Sequence, residues 1–188
     1  MGLVVAVFDV DRSSLWPGPD ALSGRNEALA SGIAIVSVDV DMGDNRLRTR
    51  ETAGALGEEQ WHSIDVETVP LDEIVPSSER PLVLKIDTQG AEPHVVEGGR
   101  KTILRADLVV LEFWPYGMAR MGADQNWLLE FFINNFDYMS IAPGETAAIP
   151  SPLPIGQACE VLSALTIDPN VYVDVITGRD VRRAVAMG

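Results

Sequence analysis

The chain has 188 residues and a mass of 20.4 kDa, a length that fits one domain able to bury roughly 70% of its unfolded surface. Hydrophobic residues make up 46% and charged residues 22%, which excludes a disordered or low-complexity chain. The formal net charge is −14, and this field repels polyanions, so we expect neither nucleic acid nor an anionic membrane as a partner.

The sequence has a single cysteine, Cys159, and two histidines, His62 and His94. One cysteine cannot form an internal disulfide, and the ligands of a structural zinc site are absent. No apolar run reaches the ~20 residues of a membrane span, and residues 2–8 lack a basic region and a small-residue cleavage site. We therefore expect a cytoplasmic protein without a metal.

The first part of the chain predicts strands with one irregular crossover. Residues 3–8 are continuously apolar and rich in β-branched side chains, and residues 33–38 form a second run of the type found in buried strands. Between them, residues 20–30 are expected to form a helix. Residues 46–50 and 62–69 alternate polar and apolar side chains, which predicts a hairpin of half-exposed antiparallel strands.

The second part alternates strands with helices. We predict strands at residues 82–86, 107–111, 138–142 and 171–176, and helices at residues 91–97 and 157–165. Asp124 is expected to cap a helix whose aromatic side chains recur at helical spacing and pack in the core. This alternation predicts an α/β fold with a mostly parallel sheet covered by helices on both faces, which places ligands at the carboxyl ends of the strands.

Acidic residues follow the predicted buried strands. Carboxylates at one rim of a sheet can accept hydrogen bonds from ribose hydroxyls or an adenine amino group, bind a metal, or act as a general base. The alternative for each of them is a helix N-cap. These strand-end acids are Asp9, Asp11, Asp39, Asp41, Asp87 and Glu112.

The densest motif is the segment VLKIDTQGAE at residues 83–92, followed by VVEGG at residues 95–99. It resembles the signature of FkbM-family methyltransferases, in which a lysine-bearing strand is followed by Ile-Asp-x-(Glu/Gln)-Gly-Ala-Glu and a short helix ending in glycine. Three further elements are similar to the family, at residues 69–74, 109–113 and 128–142. The resemblance is good over residues 66–142 and weaker to residue 176.

The resemblance implies a class I, Rossmann-like fold and transfer of a methyl group from S-adenosylmethionine to a hydroxyl of a sugar or natural-product small molecule. On this basis Asp87, Glu92 and Glu112 lie near the methyl and acceptor region, and any of them can be the base. Asp87, Gln89 and Gly90 are also expected to contact the cofactor. We expect Lys85, inside a buried strand, to pair with a neighbouring acid, and His94 to be an ordinary helix residue.

One departure from the family concerns the glycine-rich turn: no Gly-x-Gly-x-Gly stands in the chain. If residues 3–8 form the second strand of the fold, Asp9 or Asp11 binds the ribose hydroxyls and Asp39 lies near the adenine. The single domain, residues 1–188, is then N-terminally truncated and lacks the first strand-helix unit. Alternatively, residues 3–8 form a first strand whose glycine turn has been replaced.

Two other functions are compatible with the sequence. A methyltransferase-like domain that has lost cofactor binding would persist as a fragment or scaffold, and a missing central strand would favour association with a partner or a second copy. The N-terminal segment FDVDRS also resembles haloacid-dehalogenase-like phosphatases. In that case Asp9 is the nucleophile and Asp11 the acid and base of a magnesium-dependent reaction.

Overall fold

The computed structural model describes residues 69–75, 82–143 and 150–178, together with the backbone of four earlier strands. These strands are β1 (Ala6–Asp9), β2 (Gly32–Val38), β3 (Arg46–Arg48) and β4 (His62–Thr68). The helix predicted at residues 20–30 and the candidate residues Asp11, Asp39 and Asp41 lie outside this described part.

The remaining elements alternate along the chain. In order they are α1 (Leu71–Ile74), β5 (Leu82–Ile86), α2 (Glu92–Gly98), α3 (Arg100–Arg105), β6 (Leu108–Phe113), α4 (Pro115–Arg120), α5 (Gln125–Asn135), β7 (Tyr138–Pro143), β8 (Leu153–Pro154), α6 (Ile155–Ser163) and β9 (Val173–Thr177). The predicted elements of this region are therefore confirmed, with boundaries shifted by two or three residues at most. None of the helices among the described residues is long and apolar enough to cross a membrane.

The main sheet is mixed. Its strand order is β1-β5-β6-β9-β7-β8, and β5 and β6 run parallel because the helical crossover α2–α3 joins them. In contrast, β1 is antiparallel to β5, and β9 is antiparallel to both β6 and β7. The fold is α/β as predicted, but the prediction of a mostly parallel sheet was wrong. A continuously apolar run indicates a buried strand but does not indicate the direction of that strand.

A second sheet contains the other three strands in the order β3-β2-β4. Both outer strands are antiparallel to β2: β4 pairs along its whole length, with Gly32 opposite Thr68, and β3 pairs along part of it, with Ile35 opposite Arg48. The predicted hairpin between residues 46–50 and 62–69 was therefore wrong, because β2 lies between them. Alternation of polar and apolar residues identifies a half-exposed strand but does not specify its partner.

The core lies between one face of the main sheet and the helices. Leu84, Leu111 and Val175 are fully buried on neighbouring strands, and the buried side chains of α2, α5 and α6 join the same cluster. The aromatic stripe of α5 contributes Phe131 and Phe132 to this core, as predicted. Asp124 caps α5, because its carboxylate accepts a hydrogen bond from the Asn126 N–H at 2.9 Å.

Candidate functional site

Asp87 and Glu112 come together at the carboxyl ends of β5 and β6. The two strands are parallel and place Ile86 opposite Leu111, so the next residue of each strand lies at the same end of the sheet. The side-chain amide of Gln89 connects the two carboxylates: its Nε2 donates to Asp87 Oδ1 at 3.0 Å and to Glu112 Oε2 at 3.1 Å. This rim of the sheet is the candidate functional site.

Gln89 reaches both carboxylates from an unusual backbone conformation. Its φ angle is +54°, in the left-handed region, which costs a non-glycine residue about 1–2 kcal/mol. Such strained residues persist where the surrounding structure holds them, and they concentrate at functional sites. The contacts that hold Gln89 come from two helices, α2 and α4.

The contact from α2 is made by Glu92, whose side chain is 0% exposed. Its Oε1 accepts hydrogen bonds from the Thr88 N–H at 2.7 Å, from the Thr88 Oγ1 at 3.0 Å and from the Gly90 N–H at 3.2 Å. Its Oε2 accepts from the same Gly90 N–H at 2.9 Å. One buried carboxylate therefore fixes the backbone on both sides of Gln89.

The contact from α4 involves both side chain and backbone. The Arg120 Nη2 donates to the Gln89 carbonyl oxygen at 3.2 Å. Gly90, at φ +104°, lies against Gly117: a Cβ on Gly90 would be 2.3 Å from the Gly117 carbonyl carbon. Only glycine fits such an approach, since a side chain at residue 90 would overlap the backbone of α4.

Two further charged residues lie at this rim. Lys85 Nζ is 3.1 Å from Asp87 Oδ2, and the Lys85 side chain is 46% exposed. The expected ion pair is confirmed, but the expectation that Lys85 is buried was wrong, because its side chain alternates with the core residues of β5. Asp174 of β9 lies opposite Glu112 of β6 and was not identified as a candidate from the sequence.

Burial and like charges shift the proton affinities of these acids. Burial, together with the negative charges of Asp87, Glu92 and Asp174, raises the pKa of Glu112 to about 8, against the opposing charge of Lys85. Burial raises the pKa of Glu92 to about 7, although its hydrogen bonds act in the opposite direction. Burial also raises the pKa of Asp174 above its ordinary value, against the charge of Lys85. Glu92, Glu112 and Asp174 therefore hold their protons more strongly than ordinary carboxyl groups do.

Asp9 and His94, two other residues considered from the sequence, lie elsewhere in the fold. Asp9 lies opposite Leu82, at the far end of β5 from Asp87, a separation of about 16 Å along the strand. It does not gather with Asp87 because β1 is antiparallel to β5. His94 is half-buried on α2. In the described part of the chain, no group of three or more His, Cys, Asp or Glu side chains is placed to hold a metal ion.

Two residues of the site were not predicted from the sequence. Asp174 interrupts the otherwise apolar run VYVDVI at residues 171–176, and a charged residue in such a run was a usable signal. Arg120 could not be identified in this way. It contacts the backbone carbonyl of Gln89, and a backbone contact does not depend on the type of residue that it reaches.

Comparison with known proteins agrees with the motif. No curated protein and no solved structure matches the chain. Residues 29–138 match the family model described as methyltransferase FkbM domain, so the similarity begins well before residue 66, where the motif resemblance starts. The match covers 110 of the 188 residues. Because this is more than half of the chain, the protein belongs to the FkbM methyltransferase-domain family.

Proposed function

We propose that the protein transfers a methyl group from S-adenosylmethionine to a hydroxyl oxygen of a small molecule, such as a sugar or another natural product. The observation that carries the proposal is the pair of carboxylates, Asp87 and Glu112, joined by Gln89 at the carboxyl ends of two parallel strands. This is where α/β folds bind ligands, and it lies within the part of the chain that matches the family.

The side chains at the rim fit this cofactor. S-adenosylmethionine is a sulfonium cation with amino and hydroxyl donors, and the described site offers three carboxylates, Asp87, Glu112 and Asp174, against one ammonium, Lys85. Asp87 would hold the cationic end of the cofactor. The binding of ribose by Asp9 or Asp11 and of adenine by Asp39 stays a prediction, as does a contact to Gly90, whose N–H is bonded to Glu92.

The cofactor, when bound, supplies an electrophilic methyl group on sulfur. The acceptor oxygen must then lie in line with the sulfur–carbon bond, which makes alignment and removal of the hydroxyl proton the tasks of the protein. We assign proton removal to Glu112: its carboxylate would accept the hydroxyl proton when the methyl group passes from sulfur to the acceptor oxygen and the sulfur keeps the electron pair of the broken bond. A pKa raised to about 8 makes this carboxylate a stronger base than an ordinary glutamate.

Calorimetric titration with S-adenosylhomocysteine tests the proposal. We expect binding to the wild-type protein and weaker binding to Asp87→Asn, because the substitution removes a negative charge from the site. Asp137→Asn, at an exposed aspartate before β7, makes the same chemical change elsewhere and is expected to leave binding unchanged. No heat at millimolar ligand would overturn the proposal and favour the scaffold interpretation.

The organisation of the chain as a single domain, its cytoplasmic location and its possible self-association stay predictions from the sequence. The phosphatase alternative is tested by a different experiment. It requires magnesium-dependent hydrolysis of a generic phosphoester that Asp9→Asn abolishes.

A further inference from the structure

We propose that Gln89 is a positioning residue for methyl transfer, whose side-chain amide holds the Asp87 and Glu112 carboxylates at a fixed separation and orients Glu112 toward the acceptor hydroxyl. The inference rests on the proposed function and deepens it. It assigns Gln89, which the family resemblance implies is a cofactor contact, to contacts within the protein.

The side-chain amide of Gln89 donates hydrogen bonds to both carboxylates. A glutamine NH2 group has two N–H donors, and Gln89 directs its Nε2 at one oxygen of each carboxylate, at 3.0 Å and 3.1 Å. Two carboxylates at one sheet rim repel each other, and an amide between them offsets the repulsion with two hydrogen bonds. The bond to Glu112 uses Oε2, so Oε1 is the oxygen that we assign to the hydroxyl proton.

Contacts from two helices hold the backbone that carries this bridge. Glu92 binds the N–H groups of Thr88 and Gly90, one on each side of Gln89. Arg120 binds the carbonyl oxygen of Gln89 itself. The backbone of Gln89 is therefore held from two helices, and its side chain starts from a fixed point. Side chains supported in this way keep a reacting group within the narrow geometry that catalysis requires.

Charged groups from several elements affect the proton on Glu112. The charged groups that face it are Asp87 after β5, Glu92 on α2, Asp174 on β9 and Lys85 on β5. The three acids favour the protonated form, and Lys85 opposes them. A hydrogen bond donated by Gln89 also favours the ionised form. Loss of the amide should therefore make Glu112 harder to ionise while the four charges stay in place.

The test is a titration of the Glu112 side-chain carboxyl by carbon-13 NMR, assigned by the signal that disappears in Glu112→Gln. Two variants remove the bridge. Gln89→Met has a similar length without a donor, and Gln89→Asn keeps an amide that is too short to reach both carboxylates but tolerates the left-handed conformation. The control is Gln157→Met, at an exposed glutamine of α6.

We expect the midpoint for Glu112, about 8 in the wild-type protein, to rise by about one pH unit in both Gln89 variants and to stay unchanged in Gln157→Met. An unchanged midpoint in either folded Gln89 variant overturns the positioning role. Binding of S-adenosylhomocysteine is measured on the same samples. If the wild-type protein does not bind it, the proposed function fails, while the titration still decides whether Gln89 sets the state of Glu112.

Discussion

The backbones of Gly90 and Gly117 touch, although the two residues belong to different segments of the chain. A Cβ on Gly90 would come within 2.3 Å of the Gly117 carbonyl carbon, and a Cβ on Gly117 would come within 2.2 Å of Trp114 Cε3. The loop after β5, the helix α4 and the Trp114 ring are thus stacked without space for one added carbon. Any movement of α4 must move the loop that carries Gln89.

Replacement of Gly90 by alanine should be costly. The residue has φ +104° and lies against backbone, so we expect the free energy of unfolding to fall by about 2–4 kcal/mol from backbone strain and overlap together. Urea denaturation measures the loss. Gly122→Ala is the matched control, because Gly122 also has positive φ, +65°, but has no atom within 4 Å of an added Cβ. It should cost about 1 kcal/mol, and equal losses at the two glycines would contradict the packing argument.

Glu92 is expected to stabilise the loop rather than the helix that contains it. Glu92→Gln places an NH2 group or a weaker acceptor opposite the N–H groups of Thr88 and Gly90, so we expect a loss of about 1–3 kcal/mol in the free energy of unfolding. Glu97→Gln changes an exposed glutamate on the same helix and should stay within about 0.5 kcal/mol of the wild-type value. A Glu92 variant as stable as this control would refute the role of the buried carboxylate.

Stability should decrease as the pH rises from about 5 to about 8. In the unfolded chain Glu92 and Glu112 ionise near 4.5, whereas in the folded protein their pKa values are about 7 and about 8. Over this interval these two carboxyl groups bind more protons in the folded state than in the unfolded state, so their contribution to the free energy of unfolding falls with pH. Chemical denaturation at several pH values measures this slope.

The contribution of Glu112 can be isolated. Glu112→Gln removes the carboxyl group whose pKa is raised to about 8, and we expect a flatter decrease between pH 5 and pH 8. Glu130→Gln, at an exposed position of α5, is the control and should leave the slope unchanged. A slope that is the same in all three proteins would show that Glu112 ionises in the folded state as it does in the unfolded chain.

Asp72 should stabilise α3 from outside that helix. Its carboxylate accepts hydrogen bonds from the Lys101 N–H at 3.2 Å and the Thr102 N–H at 2.8 Å, which are otherwise unpaired donors of the first helical turn. We expect Asp72→Ala to lower the free energy of unfolding by about 1 kcal/mol. Glu73→Ala, at the exposed neighbour on α1, should change it by less than half as much.

The same contact has a pH dependence of opposite sign. Burial acts to raise the pKa of Asp72, but the hydrogen bonds from Thr102 and Lys101 outweigh it, so the pKa lies below its ordinary value of 3.8. Its stabilisation is present above that value and is lost as the pH falls through the folded pKa. The difference between wild type and Asp72→Ala should therefore shrink below about pH 4, and a constant difference would contradict this assignment.

The parts of the fold that were predictable depend on local sequence. One motif and one parallel crossover were enough to predict that β5 ends just before Asp87, that a short helix follows, and that Asp87 lies near Glu112. The place of β9 was not predictable, since its apolar residues indicate burial but not which strands it lies between. The same limit explains the error over β2, whose partners are β3 and β4.

The roles within the site were less predictable than its position. An acidic residue in the first turn of α2 is an ordinary helix feature, and nothing in the sequence distinguishes it from the buried Glu92 that binds Thr88 and Gly90. The bridge by Gln89 depends on a left-handed backbone at a non-glycine residue. Propensities disfavour that conformation, so only the three-dimensional contacts reveal it.

The position of β9 also has a consequence for the order of folding. This strand lies between β6 and β7 but is made more than thirty residues after the start of β7. During translation, the edges of β6 and β7 that pair with β9 therefore stay unpaired until residue 177 has left the ribosome. Such edges can pair with other chains. Asp174 also arrives only then. A stalled nascent chain that ends before residue 173 is thus expected to bind chaperones and to lack the completed acidic rim.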